Sequence, residues 1–271
     1  MVSWLASTER LVRFSDTLQG HAESGGGVSL DKQAPGPEIG LQIKKLSVWT
    51  PAPHDPFCDD GRKPPRLPAT LLESLSLNIA AGARVLLAGP SGVGKSSLLR
   101  ALCGAWPFAE GHVQLPIGEN ALFFMPAEVF VPSGELREVV SYPAPSGVID
   151  DEAIEAALRT VGLDNVLAQG LGRELDWGLA LSCGQKARLS LARLVLHKPR
   201  FAALDEPLAH IDDASRVKLL RHCFDALDQE ATVIMISHEA NSELNSLFSV
   251  CYSLDTAGKT LRLNGSGEKL L

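Results

Sequence analysis

Several things are scarce in this 271-residue chain, and each absence removes a class of function. No apolar run approaches the ~18 residues that a membrane-crossing helix requires, so no stretch of the sequence reads as a bilayer span. Five cysteines, at positions 58, 103, 183, 223 and 251, form no C-x-x-C pair; an odd, dispersed set suits reducing surroundings rather than a disulfide framework. Basic residues are not in excess: 25 Lys and Arg stand against 32 Asp and Glu, a net charge of −7. That balance argues against a general nucleic-acid binder, which needs a positive field. Internal repeats and low-complexity tracts are missing, and Glu9, Arg10 and Arg13 break up the apolar residues that a secretory signal would keep together. The expectation is a chain that is soluble by itself, cytosolic, and built as one large or two small domains.

What is present centres on residues 89–96, Gly89-Pro90-Ser91-Gly92-Val93-Gly94-Lys95-Ser96, followed by Ser97. The pattern G-x-x-x-x-G-K-[ST] is a phosphate-binding loop: glycine backbone amides cradle phosphates, the lysine carries a fixed charge toward them, and the hydroxyl can ligate Mg²⁺. Its surroundings strengthen it. Val85-Leu86-Leu87-Ala88 has the length of a buried strand, and Ser97-Leu98-Leu99-Arg100-Ala101-Leu102 reads as a helix. Strand, glycine loop and helix start together aim N–H groups and a helix N-terminus at one anion.

Residues 3–18 space Trp4, Leu5, Leu11, Val12, Phe14 and Leu18 as an amphipathic helix, and 21–38 read as a loop-like linker. Strands are expected at Leu41–Val48, Ser74–Ile79, Val113–Leu115 and Ala121–Met125, with a loop over the six prolines of 51–68. Helices are expected at 134–141, at 150–168 with Asp150 or Asp151 as cap, and at Gly184–His197. Phe201–Leu204 and Thr232–Ile236 are continuous apolar runs, the mark of strands covered on both faces, and Val250–Leu254 with Thr260–Leu263 suggest a closing hairpin.

Three apolar runs end in chemistry: one in the phosphate loop, one in Asp205-Glu206, one in Ser237-His238. Ligands of open parallel sheets bind beyond the carboxyl ends of the strands, so one shared site accounts for all three. There Ser96 and Asp205 would hold Mg²⁺, Glu206 would accept a proton from an attacking water, and His238 would face the terminal phosphate. A further polar element, Leu181-Ser182-Cys183-Gly184-Gln185-Lys186, opens a long helix; from the residues alone it is an ordinary capped helix start.

Taken together the set resembles the ATP-binding cassette of ABC transporters: the loop at 89–96, Leu-Ser-x-Gly-Gln at 181–185, Leu-Asp-Glu at 204–206 and Ile-Ser-His at 236–238, in order across residues 40–264. Glu174-Leu175-Asp176-Trp177 and the stretch Ala192–Pro199 resemble one branch, the bacterial vitamin B12, peptide and bleomycin permease–ATPase fusions related to peroxisomal fatty-acyl transporters. The resemblance implies an α/β fold, a P-loop cassette with a RecA-like core sheet, an antiparallel β edge and a helical signature subdomain at about 128–196. It implies residues 1–38 as a helix and linker following a membrane domain, and 39–271 as the cassette. It implies ATP with Mg²⁺, a transmembrane partner, no nucleic acid, and a position at the cytoplasmic face of the inner membrane. It also implies a head-to-tail pair of cassettes, with Ser182, Cys183, Gly184 and Gln185 meeting the partner's ATP and Asp212 in an interface loop.

The chain departs from that pattern in places. Ala127 follows Pro126 where the family carries Gln, and Glu128 is the only nearby substitute. Cys183 adds a side chain within the signature, His210 is unusual, and the adenine-stacking aromatic is not evident, with Trp49 the nearest. Two other functions therefore stand beside a transport ATPase: a hydrolysis-impaired regulatory half of a heterodimer, and a soluble ABC ATPase without a membrane partner.

Overall fold

A computed structural model describes residues 27–31, 36, 38–50, 69–116, 121–238, 242–255 and 259–263. The expected helix at 3–18 and the proline-rich loop at 51–68 lie outside them. In chain order the strands are β1 (Gly27–Asp31), β2 (Ile39–Trp49), β3 (Thr70–Ala80), β4 (Arg84–Ala88), β5 (Ala109–Gln114), β6 (Leu122–Met125), β7 (Gly134–Glu135), β8 (Glu174–Leu175), β9 (Phe201–Asp205), β10 (Thr232–Ser237), β11 (Val250–Asp255) and β12 (Thr260–Leu263). The helices are α1 (Lys95–Leu102), α2 (Leu136–Ser141), α3 (Asp151–Thr160), α4 (Asp164–Leu167), α5 (Trp177–Ala180), α6 (Cys183–His197), α7 (Asp213–Asp225) and α8 (Ser242–Asn245).

The core is a six-stranded sheet in the order β12-β11-β4-β10-β9-β6. All neighbours are parallel except β12, which closes antiparallel on β11. Both faces are covered, and side-chain alternation divides each strand between them. Val85 and Leu87, Phe201 and Ala203, and Ile234 and Ile236 point into one apolar cluster. Leu86, Ala202 and Leu204, and Val233 and Met235 point into the other. The first cluster is shared with α1 and with a second, four-stranded sheet, β1-β5-β2-β3. The second is shared with α2, α3, α6 and α7 and holds the fully buried Trp177, whose Nε1 donates to Gly134 O at 3.0 Å.

Three sequence expectations are corrected. Gly27–Asp31, inside the stretch expected to be linker, is a strand parallel to β5; its partner lies some eighty residues on, and no local pattern announces it. β5 starts at Ala109 rather than Val113, with Gly111 at φ 135 passing 2.7 Å (as a hypothetical Cβ) from Leu46 Cα in a bulge. The single helix expected at 150–168 is two. Gly162 (φ 70) ends α3 in a Schellman motif, Leu163 N–H bonding Leu158 O at 2.9 Å and Gly162 N–H bonding Arg159 O at 3.0 Å.

Candidate functional site

The carboxyl ends of β4, β9 and β10 lie side by side because β10 pairs in parallel with both others. Each strand hands its next residues to the same edge of the sheet.

After β4 the chain turns through Gly89, Gly92 and Gly94, all at positive φ (141°, 78° and 99°), a path that L side chains resist. Gly94 has a second constraint: a Cβ there would come within 2.7 Å of Leu71 Cδ1. Gly94 caps α1 without a side-chain bond, so the first-turn amides are left for a ligand. Lys95 is 4% exposed, and its Nζ donates to Gly89 O at 2.8 Å and Pro90 O at 2.7 Å. Burial lowers its pKa below the ordinary lysine value, while Glu206 and Asp205 oppose that shift.

Ser96 Oγ donates to Asp205 Oδ1 at 2.9 Å. Asp205 is fully buried, and its other oxygen, Oδ2, has no hydrogen-bond partner; the nearest cation is Arg100 at 4.0 Å. Burial raises the Asp205 pKa above its ordinary value, and Glu206 adds to that, against the Ser96 hydrogen bond, Arg100 and Lys95. A buried carboxylate oxygen left without a partner costs about 1–3 kcal/mol, and a hard cation between Ser96 and Asp205 would satisfy it. The residues therefore fit Mg²⁺.

Glu206 follows β9 in the left-handed region (φ 53), which turns its carboxylate away from Asp205 and onto His238 Nε2. His238 Nδ1 lies 3.2 Å from Gly89 O and 3.3 Å from Lys95 Nζ. Protonated, that nitrogen donates to Gly89 O; unprotonated, it accepts from Lys95. Thus Lys95, His238 and Glu206 form a chain across an open cleft of about 200 Å³, lined also by Ser91, Gly92, Gly94, Ser96, Ser97, Thr50 and Leu71. Thr50 and Leu71 come from the β2 end and the β3 start and carry no motif, so sequence reasoning passes over them.

The remaining expected residues lie elsewhere. Ser182 and Gln185 form a capping box at the start of α6: Ser182 Oγ accepts from Gln185 N–H at 3.3 Å and Gln185 Oε1 from Ser182 N–H at 2.9 Å. Ser182 and Cys183 are exposed, and none of the four signature residues lines the phosphate cleft of its own chain. Asp212 caps α7, accepting from Ser215 N–H at 3.0 Å; a hydrogen bond from the Ser215 side chain, more than the backbone N–H bonds, holds its carboxyl below the ordinary range, and Arg188 of α6 approaches it at 3.7 Å. Ala127 and Glu128 are exposed and do not line the cleft. Trp49 ends β2 with its carbonyl accepting from Trp106 Nε1 at 3.1 Å; its neighbour Thr50 reaches the cleft lining instead.

The family model described as ABC transporter matches residues 72–209, just over half of the chain. The chain belongs to the ABC transporter family. As an ABC cassette it is 36% identical over 198 residues to an uncharacterized ABC transporter ATP-binding protein of Haemophilus influenzae, a match covering 73% of this chain and 30% of that protein. It is 35% identical over 200 residues to the human lysosomal cobalamin transporter ABCD4, covering 70% of this chain and 32% of the relative. The chain spans about three-tenths of the length of these relatives. A putative ABC transporter ATP-binding protein from Pyrococcus furiosus superposes with a TM-score of 0.58 at 26% identity, covering 79% of this chain and 96% of that one. A bacterial Atm1-family ABC exporter with ATP bound shares the fold at a TM-score of 0.65 and 23% identity, covering 89% of this chain and 41% of that one. The P-loop cassette fold and the ATP-binding role expected from the motifs thus stand, as does the expected branch of the vitamin B12 permease–ATPase fusions, to which the cobalamin transporter relative points.

Proposed function

We propose that this cassette binds and hydrolyses MgATP to drive solute transport through a membrane-embedded partner at the cytoplasmic face of the membrane. The observation that carries the reading is the meeting of Lys95, Ser96–Asp205 and Glu206–His238 at one sheet edge. The loop amides and Lys95 would bind the β- and γ-phosphates. The bound Mg²⁺ would neutralise charge on phosphate oxygens. Glu206 would orient a water and take its proton, and His238, whose two ring nitrogens here engage Glu206 and the Gly89 carbonyl, would donate toward the terminal phosphate by releasing one of those contacts. Most of the rate gain in such reactions comes from position and fixed charge.

The site of one chain is incomplete. Its cleft is open to one side, while the start of α6, with Ser182 and Cys183 exposed, holds the Cys183 and Gly184 amides outside the Ser182–Gln185 capping box. Two cassettes placed head to tail would bring the two together, so ATP would be clamped between the loop of one and Ser182 of the other. Differential affinity of ATP and ADP for the closed pair supplies the drive. The described residues hold no helix long and apolar enough to cross a membrane. The relatives are roughly three times longer, and the exposed Phe130 and Tyr142 offer their additional part an apolar landing surface.

The test is MgATP turnover by the purified chain alongside Lys95→Ala and Glu206→Gln. Loss of ATP binding in the first, and retained binding with loss of turnover in the second, is the expected result. Indistinguishable behaviour of all three proteins would sink the reading.

A further inference from the structure

Arg193 lies about three turns along α6 from Ser182 and is 5% exposed. Its guanidinium spends its donors on two distant carbonyls. Nε and one terminal nitrogen donate to Val139 O at 3.1 and 2.7 Å, and the other donates to Phe130 O at 2.8 Å. Val139 O needs such a donor. It sits in α2, where the residue four positions on would bond it, but that residue is Pro143, which has no N–H. The guanidinium also lies 5.3 Å from the Tyr142 ring centroid, and Tyr142 packs at 5.5 Å against Phe130. One turn further along α6, His197 Nε2 is 3.1 Å from Tyr142 O. Burial lowers the Arg193 pKa to about 10, so the group remains charged at neutral pH.

Above this buried cation the surface is apolar. Phe130 is 60% and Tyr142 43% exposed, and they border a cavity of about 260 Å³ with Leu122 and Pro126. The loop that carries Phe130 also carries Ala127, which has no polar group to extend toward the nucleotide. Between this surface and α6, Arg193 supplies a direct link, gripping the Phe130 and Val139 carbonyls from the helix.

We infer that Arg193 is a positioning residue that ties the Phe130–Tyr142 surface to the orientation of α6, so that ATP clamping at Ser182 and the setting of that surface bias each other. This rests on the head-to-tail reading above. Reciprocity is required of any such coupling, so a reporter on the surface must sense the nucleotide.

The experiment uses the full chain with Glu206→Gln, to hold ATP, and Phe130→Trp as a fluorescent reporter, with the Phe130 protein subtracted for the four native tryptophans. Adding MgATP in place of MgADP is expected to produce a dimer and to shift the reporter's emission; Ser182→Arg is expected to abolish both. Arg193→Lys is expected to weaken ATP-driven dimerisation roughly ten-fold and remove the reporter shift, with the affinity of a single cassette for ATP unchanged. If Arg193→Lys does not fold, Tyr142→Leu, which removes the ring and none of the carbonyl acceptors, replaces it with the same expectation. A parent that never dimerises on MgATP overturns the head-to-tail reading and this inference with it. A parent that dimerises with a silent reporter, or a variant that keeps the shift, overturns the inference alone. So does a variant whose ATP affinity and dimerisation fall together, since that is a defect of the fold.

Discussion

The carbonyl oxygen of His210 presses on Gly184 so closely that a Cβ there would lie 2.8 Å away. The loop between Glu206 and α7 is thereby seated on the first turn of α6. It is fastened by Arg216 Nε donating to Ile211 O at 2.7 Å and by Arg188 facing Asp212. In one chain, the residue proposed as base lies four positions from His210, whose carbonyl touches Gly184 among the residues proposed to clamp the partner's ATP.

Gly184→Ala should therefore damage function more than its helix propensity suggests. Alanine favours a helix by about 1 kcal/mol over glycine, yet the carbonyl must retreat at a cost of about 1–3 kcal/mol. The expected outcome is a melting point unchanged or a few degrees lower, ATP binding by single cassettes retained, and turnover down at least about ten-fold. Calorimetry, nucleotide titration and steady-state kinetics check the three parts separately.

Asp205→Asn should stabilise the chain in the absence of Mg²⁺ while abolishing its Mg²⁺-dependent turnover. The folded pKa of Asp205 lies above 3.8, so the folded state binds the proton more tightly than the unfolded one. The native carboxylate therefore destabilises the fold at pH values above its folded pKa, and this burden disappears as pH falls toward 3.8. The variant's advantage, on the order of 1–2 kcal/mol near neutrality, should shrink on acidification. Urea unfolding at several pH values measures it; an advantage that grows toward acid pH would contradict the assignment.

Ala127→Gln should raise turnover several-fold with little change in stability. Ala127 is exposed at the end of β6, so a longer polar side chain displaces nothing. Surface changes of this kind alter stability by about 0.5 kcal/mol or less. Turnover equal to the parent's would show that the loop never approaches the attacking water.

Trp177→Phe tests the helical part of the fold. The indole is fully buried and its N–H satisfies Gly134 O at 3.0 Å. Phenylalanine leaves that carbonyl unpaired, at a cost of about 1–3 kcal/mol. A loss under about half a kcal/mol by chemical denaturation would mean that water takes the indole's place.

The grouping of the candidate site was legible because its residues follow continuous apolar runs, and such runs, short and bounded by turn residues, read as buried parallel strands with ends on a common edge. Val85–Ala88, Phe201–Leu204 and Thr232–Ile236 place Lys95, Asp205, Glu206 and His238 together without any long-range information. β1 was not legible, since five residues between glycine and proline stretches acquire a strand only from β5. The break at Gly162 was available, a glycine just past a helical pattern, but the apolar spacing on both sides of it suggested continuity. Arg193 was hidden for another reason: nothing within α6 calls for a buried cation, and only a proline fifty residues earlier leaves the Val139 carbonyl open to it.

Glu206 is held at φ 53, where a glycine would sit without strain. Replacing it with glycine should thus relax the backbone by about 1 kcal/mol while deleting the proposed base. Robustness and the proposed catalysis thus pull this one position in opposite directions.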